Sequence, residues 1–387
     1  MRRRILVVGR SDIIFIIRLL QNIYEQHSPD IEIELFDNRH SPEDVNEDGI
    51  PYRVHGVQMY QWCRKLLRVP VLRIFIRMLF EYTTLKKLFQ DKKYDIINIQ
   101  EVPYYSLIYL KFAHKQGATT VMTPIGSDAL RAKGWTYRWL QKAFDFTDYV
   151  TITTDSGFAT KVIEKFSIDR NKVKNLSYGS DAISEIIKMK GQYTKEELAQ
   201  MLHIPYSDYY ICCGYNAYPA QNHTDMLRAI AANANNLPKG YKVLFPLGYG
   251  PGEETRKELE QENRKLGLDV EYLMDYLSPE KVAALRLVSD LFIHIQNTDA
   301  HCFTMREFLL ADTQVINGRW VSYPELEQYG VPYYVCESKD TLKDVLCSFL
   351  KNELPPVHCP AELTSRLEDS SWNSIAPHWI DFYRTLN

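Results

Sequence analysis

The stretch "NTDAHCFTMREFLLADTQVI", residues 297–316, sets Asp299 just ahead of an apolar helix and Glu307 within it. An ionised carboxylate offers only acceptors, so an acid held here needs donors from a neighbour or a ligand. The plain structural alternative is a capping acid followed by an exposed glutamate. In "LGYGPGEE", Gly248, Gly250 and Gly252 let main-chain amides approach an anion at a helix start. The spacing is not that of the dinucleotide fingerprint. "GYNAYPAQNH" supplies Gly214, Asn216 and His223, and "MDYLSPEK" begins with Met274. In the first half, "TPIGSDALR" carries Gly126, Ser127 and Asp128 past a strand. Asp128 there either accepts the proton of an acceptor hydroxyl or caps a helix. Gly9 and Ser11 follow the first strand and form a second loop on that side.

Metal chemistry has little support in the pattern. No Asp-x-Asp occurs, the seven cysteines form no CxxC pair, and His301 between Asp299 and Cys302 lacks an evident third ligand. No metal and no cofactor are expected. Scattered thiols in odd number suggest a reducing compartment.

These residues need a scaffold, and the chain is long enough for two. At 387 residues it exceeds the size at which a single core keeps growing, and 45% hydrophobic with 25% charged residues is ordinary globular composition. The net charge of −3 argues against a nucleic-acid binder. "MRRRILVVGR" reads as a first strand rather than a signal peptide, because its apolar run stops at Gly9 and Arg10. Short apolar runs alternate with helical patterns, the mark of parallel α/β architecture. Strands are expected at 5–8, 31–36, 96–99, 119–122, 149–153 and 173–177, then at 209–213, 242–246, 270–273, 291–294, 314–316 and 333–336. The expected division is an N-terminal Rossmann-like domain over 1–182, a linker over 183–207 and a second Rossmann-like domain over 208–362. A C-terminal helix over 363–387 would pack back across the linker. Two doubly wound sheets would face a cleft at the carboxyl ends of their strands.

The order of loops after residue 208 resembles the nucleotide-sugar domain of GT-B glycosyltransferases, above all the retaining family four. The residues that carry it are "LGYGPGEE…LGLDVEYLMDYLSPEKVAALRLVSDLFIH", then Asp299-x7-Glu307, then "LADTQVI". "GYNAYPAQNH" and "GSD" look more like the lipid-linked TDP-4-acetamido-4,6-dideoxygalactose transferases of bacteria. The resemblance implies a nucleotide diphosphate sugar donor on the second domain, Glu307 on the ribose hydroxyls and Asp299 beside the donor sugar. It implies transfer to a glycan or polyprenyl-linked acceptor in bacterial surface polysaccharide assembly, retaining by the acid pair, with inversion left open by the likeness to the dideoxygalactose transferases. The Arg and Lys that usually grip the diphosphate are replaced by Tyr215 and by Ala220 or Gln221, which leaves Arg306 and His223 as candidate cations. A GT-B epimerase or a non-catalytic partner subunit is the rival reading.

Residues 60–93 hold nine Lys/Arg against two acids, interleaved with aromatics and aliphatics. Arg64, Arg68, Arg73 and Arg77 recur at three-to-five residue steps, as one helical stripe would. Such a basic amphipathic segment fits an anionic membrane surface, and predicts a cytoplasmic protein peripheral on the inner face of the plasma membrane.

Overall fold

The computed structural model describes residues 2–26, 29–44, 50–59, 70–153, 157–299 and 302–386. Two compact units separate, Met1–Gly179 with Trp372–Asn387, and Ser180–Ser371.

The first unit is built on seven parallel strands: β1 (Arg3–Gly9), β2 (Ile31–Asp37), β3 (Arg53–Gly56), β4 (Ile96–Gln100), β5 (Thr119–Thr123), β6 (Tyr149–Ile152) and β7 (Val173–Asn175). Their order is β3-β2-β1-β4-β5-β6-β7. Parallel strands need helical crossovers, which cover both faces and bury the strands from both sides. That is why Ile5, Leu6, Val7 and Val8 are consecutive apolar residues, all fully buried. The sequence pattern missed β3, whose "RVHG" contains no apolar run and lies at the sheet edge. β1 is flanked by β2 and β4, so the winding reverses beside it.

The helix Trp372–Thr385 belongs to this unit. Trp379 and Tyr383 share a core with Leu19, Leu20, Leu35 and Ile96. Trp379 Nε1 donates to the Ser177 carbonyl at 2.7 Å, and Asn98 Nδ2 donates to the Tyr383 hydroxyl at 2.8 Å. The single C-terminal helix expected over 363–387 is therefore two helices with separate destinations. Ala361–Glu368 places Leu363 and Leu367 in the core of the second unit instead.

The second unit repeats the plan with β8 (Tyr209–Cys213), β9 (Tyr241–Pro246), β10 (Val270–Leu273), β11 (Leu291–His294), β12 (Gln314–Gly318) and β13 (Tyr334–Cys336). The order is β10-β9-β8-β11-β12-β13, with the reversal at β8. The linker expected over 183–207 is corrected here. Asp181–Met189 and Lys195–Leu202 are helices that send Ile183, Ile186, Leu198 and Leu202 into the core of this unit, against the helix Pro279–Val288. Thr194 and Glu197 form a reciprocal cap at the start of the second of them.

Trp379→Ala should lower unfolding stability by roughly 3–5 kcal/mol, since it removes a fully buried indole and orphans the Ser177 carbonyl. Denaturant titration followed by circular dichroism checks this; an unchanged midpoint would mean that the C-terminal helix is not part of the first core.

Candidate functional site

In the second unit the loops after β8, β9, β10 and β11 all leave the carboxyl edge of one sheet. Gly214 ends β8 at φ +67°, and a Cβ there would sit 2.9 Å from Gln221 Oε1 and 3.2 Å from His223 Nε2. Its amide already donates to the Ile293 carbonyl at 3.2 Å, so Gly214 brings neighbours close rather than offering a free donor. Asn216 closes the same loop by accepting the Tyr218 amide at 3.0 Å. At Gly248 a Cβ would lie 2.0 Å from the Asp275 carbonyl oxygen, so only glycine lets the loops after β9 and β10 touch. Gly250 packs on the Tyr218 ring, and Met274 approaches Gly252. A small pocket of about 120 Å³ opens here, lined by Tyr215, Gly248, Tyr249, Asp275, Tyr276 and Arg286 among others.

Arg286 is the residue that sequence reasoning overlooked. It is 5% exposed, its Nε donates to Glu307 Oε2 at 3.1 Å, and its guanidinium lies 4.4 Å from the Phe308 ring. Its Nη1 is buried with no partner among the described residues. The signal was in "AALRLVSD": a cation inside an apolar helix needs a buried acid, and Glu307 was already suspect. Glu307, 6% exposed, takes Arg286 on one oxygen and the Ser180 hydroxyl, at 2.9 Å, on the other. It is thus neither a cap nor an exposed accident.

Asp299 receives the Tyr323 hydroxyl at 2.9 Å. Asn317 Nδ2 donates to the Val321 carbonyl, which turns its Oδ1 toward His294 Nδ1 at 2.8 Å. His294 therefore carries its proton on Nδ1 and presents Nε2 to Cys302 Sγ at 3.9 Å and Asp299 Oδ2 at 3.8 Å. Burial holds the imidazole below its usual pKa and raises the Cys302 thiol. His294, Asp299 and Cys302 are the one trio among the described residues with potential metal-binding atoms this close. The thiol proton also satisfies that geometry. His301 lies outside the described residues.

The two candidate cations fare differently from expectation. Arg306 is 8% exposed and ion-paired with the buried Glu325 at 3.3 Å. His223 stays close to Gly214, but burial drives its pKa down to about 4, so it is neutral near pH 7 and its Nε2 lacks a partner among the described residues.

In the first unit, Asp128 is a loop organiser. Its oxygens accept the amides of Val102, Ile125 and Gly126 at 2.6–3.2 Å, and burial still raises its pKa. These amides precede the helix Ser127–Leu130 or come from the loop after β4, so Asp128 ties two loops together rather than capping that helix, and this leaves the carboxylate little freedom to serve as a base. Ser11 is tied by its amide and hydroxyl to the buried Asp37, and the Gly9 carbonyl accepts the Asn38 amide at 3.1 Å. Arg73 and Arg77 turn toward a pocket of about 440 Å³ at the carboxyl ends of β1, β2, β4 and β5, not along a free stripe. Arg64 and Arg68 lie outside the described residues. The pocket also holds Glu101, which the sequence reading passed over. Its backbone adopts φ +52°, uncommon for a non-glycine residue, and burial raises its carboxyl pKa.

Among solved structures, the chain is similar to sucrose-phosphate synthase from Thermosynechococcus elongatus, with TM-score 0.72 and 14% identity over 100% of this chain and 99% of that one. The chain has the GT-B fold. It is also similar to Anabaena HepE in complex with UDP, at TM-score 0.69 and 15% identity over 100% of both chains. A glycosyltransferase from Rickettsia africae matches at TM-score 0.70 and 10% identity, over 100% of this chain and 98% of that one. No protein-family model and no curated protein matches the sequence. At such identities the likeness shows the GT-B fold alone.

Glu81, beneath the first-unit pocket, gives a pH test. It is fully buried, it accepts the Tyr105 hydroxyl at 3.1 Å and the Tyr109 hydroxyl, and burial lifts its pKa to about 8. The folded state thus keeps this proton to higher pH than the unfolded chain, whose carboxyl titrates at about 4.5. The resulting stability is complete below about 4.5 and is lost as pH rises through 8, on the order of 1.4 kcal/mol per pH unit inside that window. Glu81→Gln should flatten this fall, as read by urea midpoints at pH 5 and 8.5. Equal slopes in both proteins would contradict the buried neutral carboxyl.

Proposed function

We propose that this chain is a glycosyltransferase moving a sugar from a nucleotide diphosphate sugar to a glycan or lipid-linked acceptor. The observation that carries the reading is Arg286, a buried guanidinium beside the loops after β8, β9 and β10, whose Nη1 has no partner among the described residues. A donor diphosphate at the Gly248–Gly252 turn supplies the missing acceptor, and the family's absent loop cations are then replaced from the helix Pro279–Val288. Glu307 keeps unused lone pairs on both oxygens and binds ribose hydroxyls through them. Asp299, steadied by Tyr323, stands beside the donor sugar.

Transfer breaks the anomeric C–O bond to the diphosphate and forms one to the acceptor hydroxyl, whose proton leaves with the diphosphate. Stabilising the growing negative charge on that leaving group is the main catalytic demand, and fixed amides plus Arg286 meet it without reorganising. Retention follows the Asp299-x7-Glu307 resemblance, and metal independence follows the lack of any Asp-x-Asp in the sequence. HepE, similar across its whole length, was solved with UDP, which supports a nucleotide on this fold. A role in bacterial surface polysaccharide assembly, peripheral on the inner face of the plasma membrane, is supported by Phe75 and Leu79. These stand exposed one turn apart on the helix Pro70–Asp91. No helix among the described residues is long and apolar enough to cross a membrane.

One of UDP, GDP or TDP at about a hundred times its Kd should stabilise the fold by roughly 2.7 kcal/mol. Arg286→Lys, which keeps the charge opposite Glu307 but loses the fork, should weaken that nucleotide about tenfold or more. Asp299→Asn should spare nucleotide binding and lower turnover. No melting shift with any of the three at millimolar concentration would overturn the reading.

A further inference from the structure

The first-unit pocket carries a charge pattern that no nucleotide-binding role uses. Five arginines, Arg10, Arg39, Arg73, Arg77 and Arg131, line it against two carboxylates, Glu101 and Asp128. Both acids are already committed. Arg10 spans Asp12 at 2.6 Å and Glu101 at 3.3 Å, while Asp128 is held by main-chain amides. Among the described residues, no carboxylate comes within ion-pair distance of Arg39, Arg73 or Arg131. Arg77 lies 3.9 Å from Glu81, whose carboxyl keeps its proton near pH 7 and so does not neutralise it.

These cations come from separate parts of the chain. Arg39 follows β2, Arg73 and Arg77 lie on the helix Pro70–Asp91, and Arg131 follows the short helix Ser127–Leu130. An ordinary solvated surface intersperses its signs, whereas bringing like charges to one concave wall is unfavourable until an anion enters. Planar guanidinium forks match phosphate oxygens better than any other side chain. A volume of about 440 Å³ is that of a small-molecule site. Tyr104, also in the lining, packs edge-on to Trp135 at 4.8 Å, and Trp135 is 55% exposed. That aromatic pair offers an apolar face next to the cations.

We propose that this pocket grips a phosphate or diphosphate of the acceptor, so that the sugar acceptor is a phosphorylated one, either free or carried on a polyprenyl lipid. The assignment of this anion to the acceptor rests on the glycosyltransferase reading; the anion site itself does not. Arg39, Arg73 and Arg131 take the phosphate, Arg77 adds charge from below, and the Tyr104–Trp135 pair receives the adjoining sugar or prenyl carbons. Glu101, aimed into the pocket and fixed by Arg10, accepts a sugar hydroxyl.

The test uses the full chain in two arms. The soluble arm compares glucose 6-phosphate with glucose by calorimetry; the lipid arm compares phosphatidylcholine vesicles with and without polyprenyl phosphate by co-sedimentation. In one arm the phosphate-bearing probe should bind at least about tenfold more tightly than its phosphate-free counterpart, and that arm names the source. The double variant Arg39→Gln, Arg131→Gln, changed at two exposed positions, should lose about tenfold or more of that binding. The melting shift produced by a nucleoside diphosphate should remain. If phosphate makes no difference in either arm, or if the double variant binds as tightly as the parent chain, the proposal is overturned. Phosphate binding that depends on these arginines, in a chain that no nucleoside diphosphate stabilises, would retain the anion site and remove the glycosyltransferase reading.

Discussion

Parallel strands joined by helical crossovers force every strand-to-helix loop onto one edge of the sheet, and this chain obeys that constraint twice. Each sheet also reverses its winding beside its first strand, which parts the loops there and leaves room for a ligand. The first unit places Arg10, Arg39, Glu101 and Asp128 at that edge, and the second places Gly214, Gly248, Asp275 and Asp299 there. Residues far apart in sequence share a site because hydrogen-bond geometry allows no other arrangement.

Charge inside the second unit is handled with pairs. Arg286 with Glu307, and Arg306 with Glu325, are buried on both sides. Desolvating such groups costs several kcal/mol each, so burying a pair adds little stability by itself, while removing one partner strands the other. The two pairs nonetheless differ. Arg306 is consumed within the fold, whereas Arg286 retains a buried Nη1 without a partner among the described residues and borders a pocket. A glutamate on one side holds the guanidinium in place, and the free edge is left for a ligand. Glycines at 248 and 250 complete the arrangement by letting main chain approach where a side chain would collide.

The sheet was legible because a strand buried from both sides must be continuously apolar, as in "ILVV" and "LFIH". It became illegible where burial was one-sided, so the edge strand Arg53–Gly56 went unseen. The segment 183–207 misled for a related reason: its helices bury a narrow stripe of Ile183, Ile186, Leu198 and Leu202 within polar sequence. Glu307 was found from its place in an apolar helix, but its neighbour Arg306, expected to grip the diphosphate, pairs instead with Glu325, because both faces of that helix are covered. Arg286 and Glu101 escaped because their significance depends on partners 21 and 91 residues away, Glu307 and Arg10. Asp128 was visible as a polar residue after a strand, and only the geometry could distinguish a carboxylate that ties two loops together from a base or a helix cap.

The central claim is that a nucleoside diphosphate is held by the carboxyl-edge loops of the second unit. Amide hydrogen exchange with and without saturating UDP, GDP or TDP reports on those loops directly. One of the three should slow exchange at residues 247–252 and 274–278 while leaving residues 10–12, 38–40 and 101–105 unchanged. Protection confined to the first-unit loops, or none with any of the three, would contradict the account.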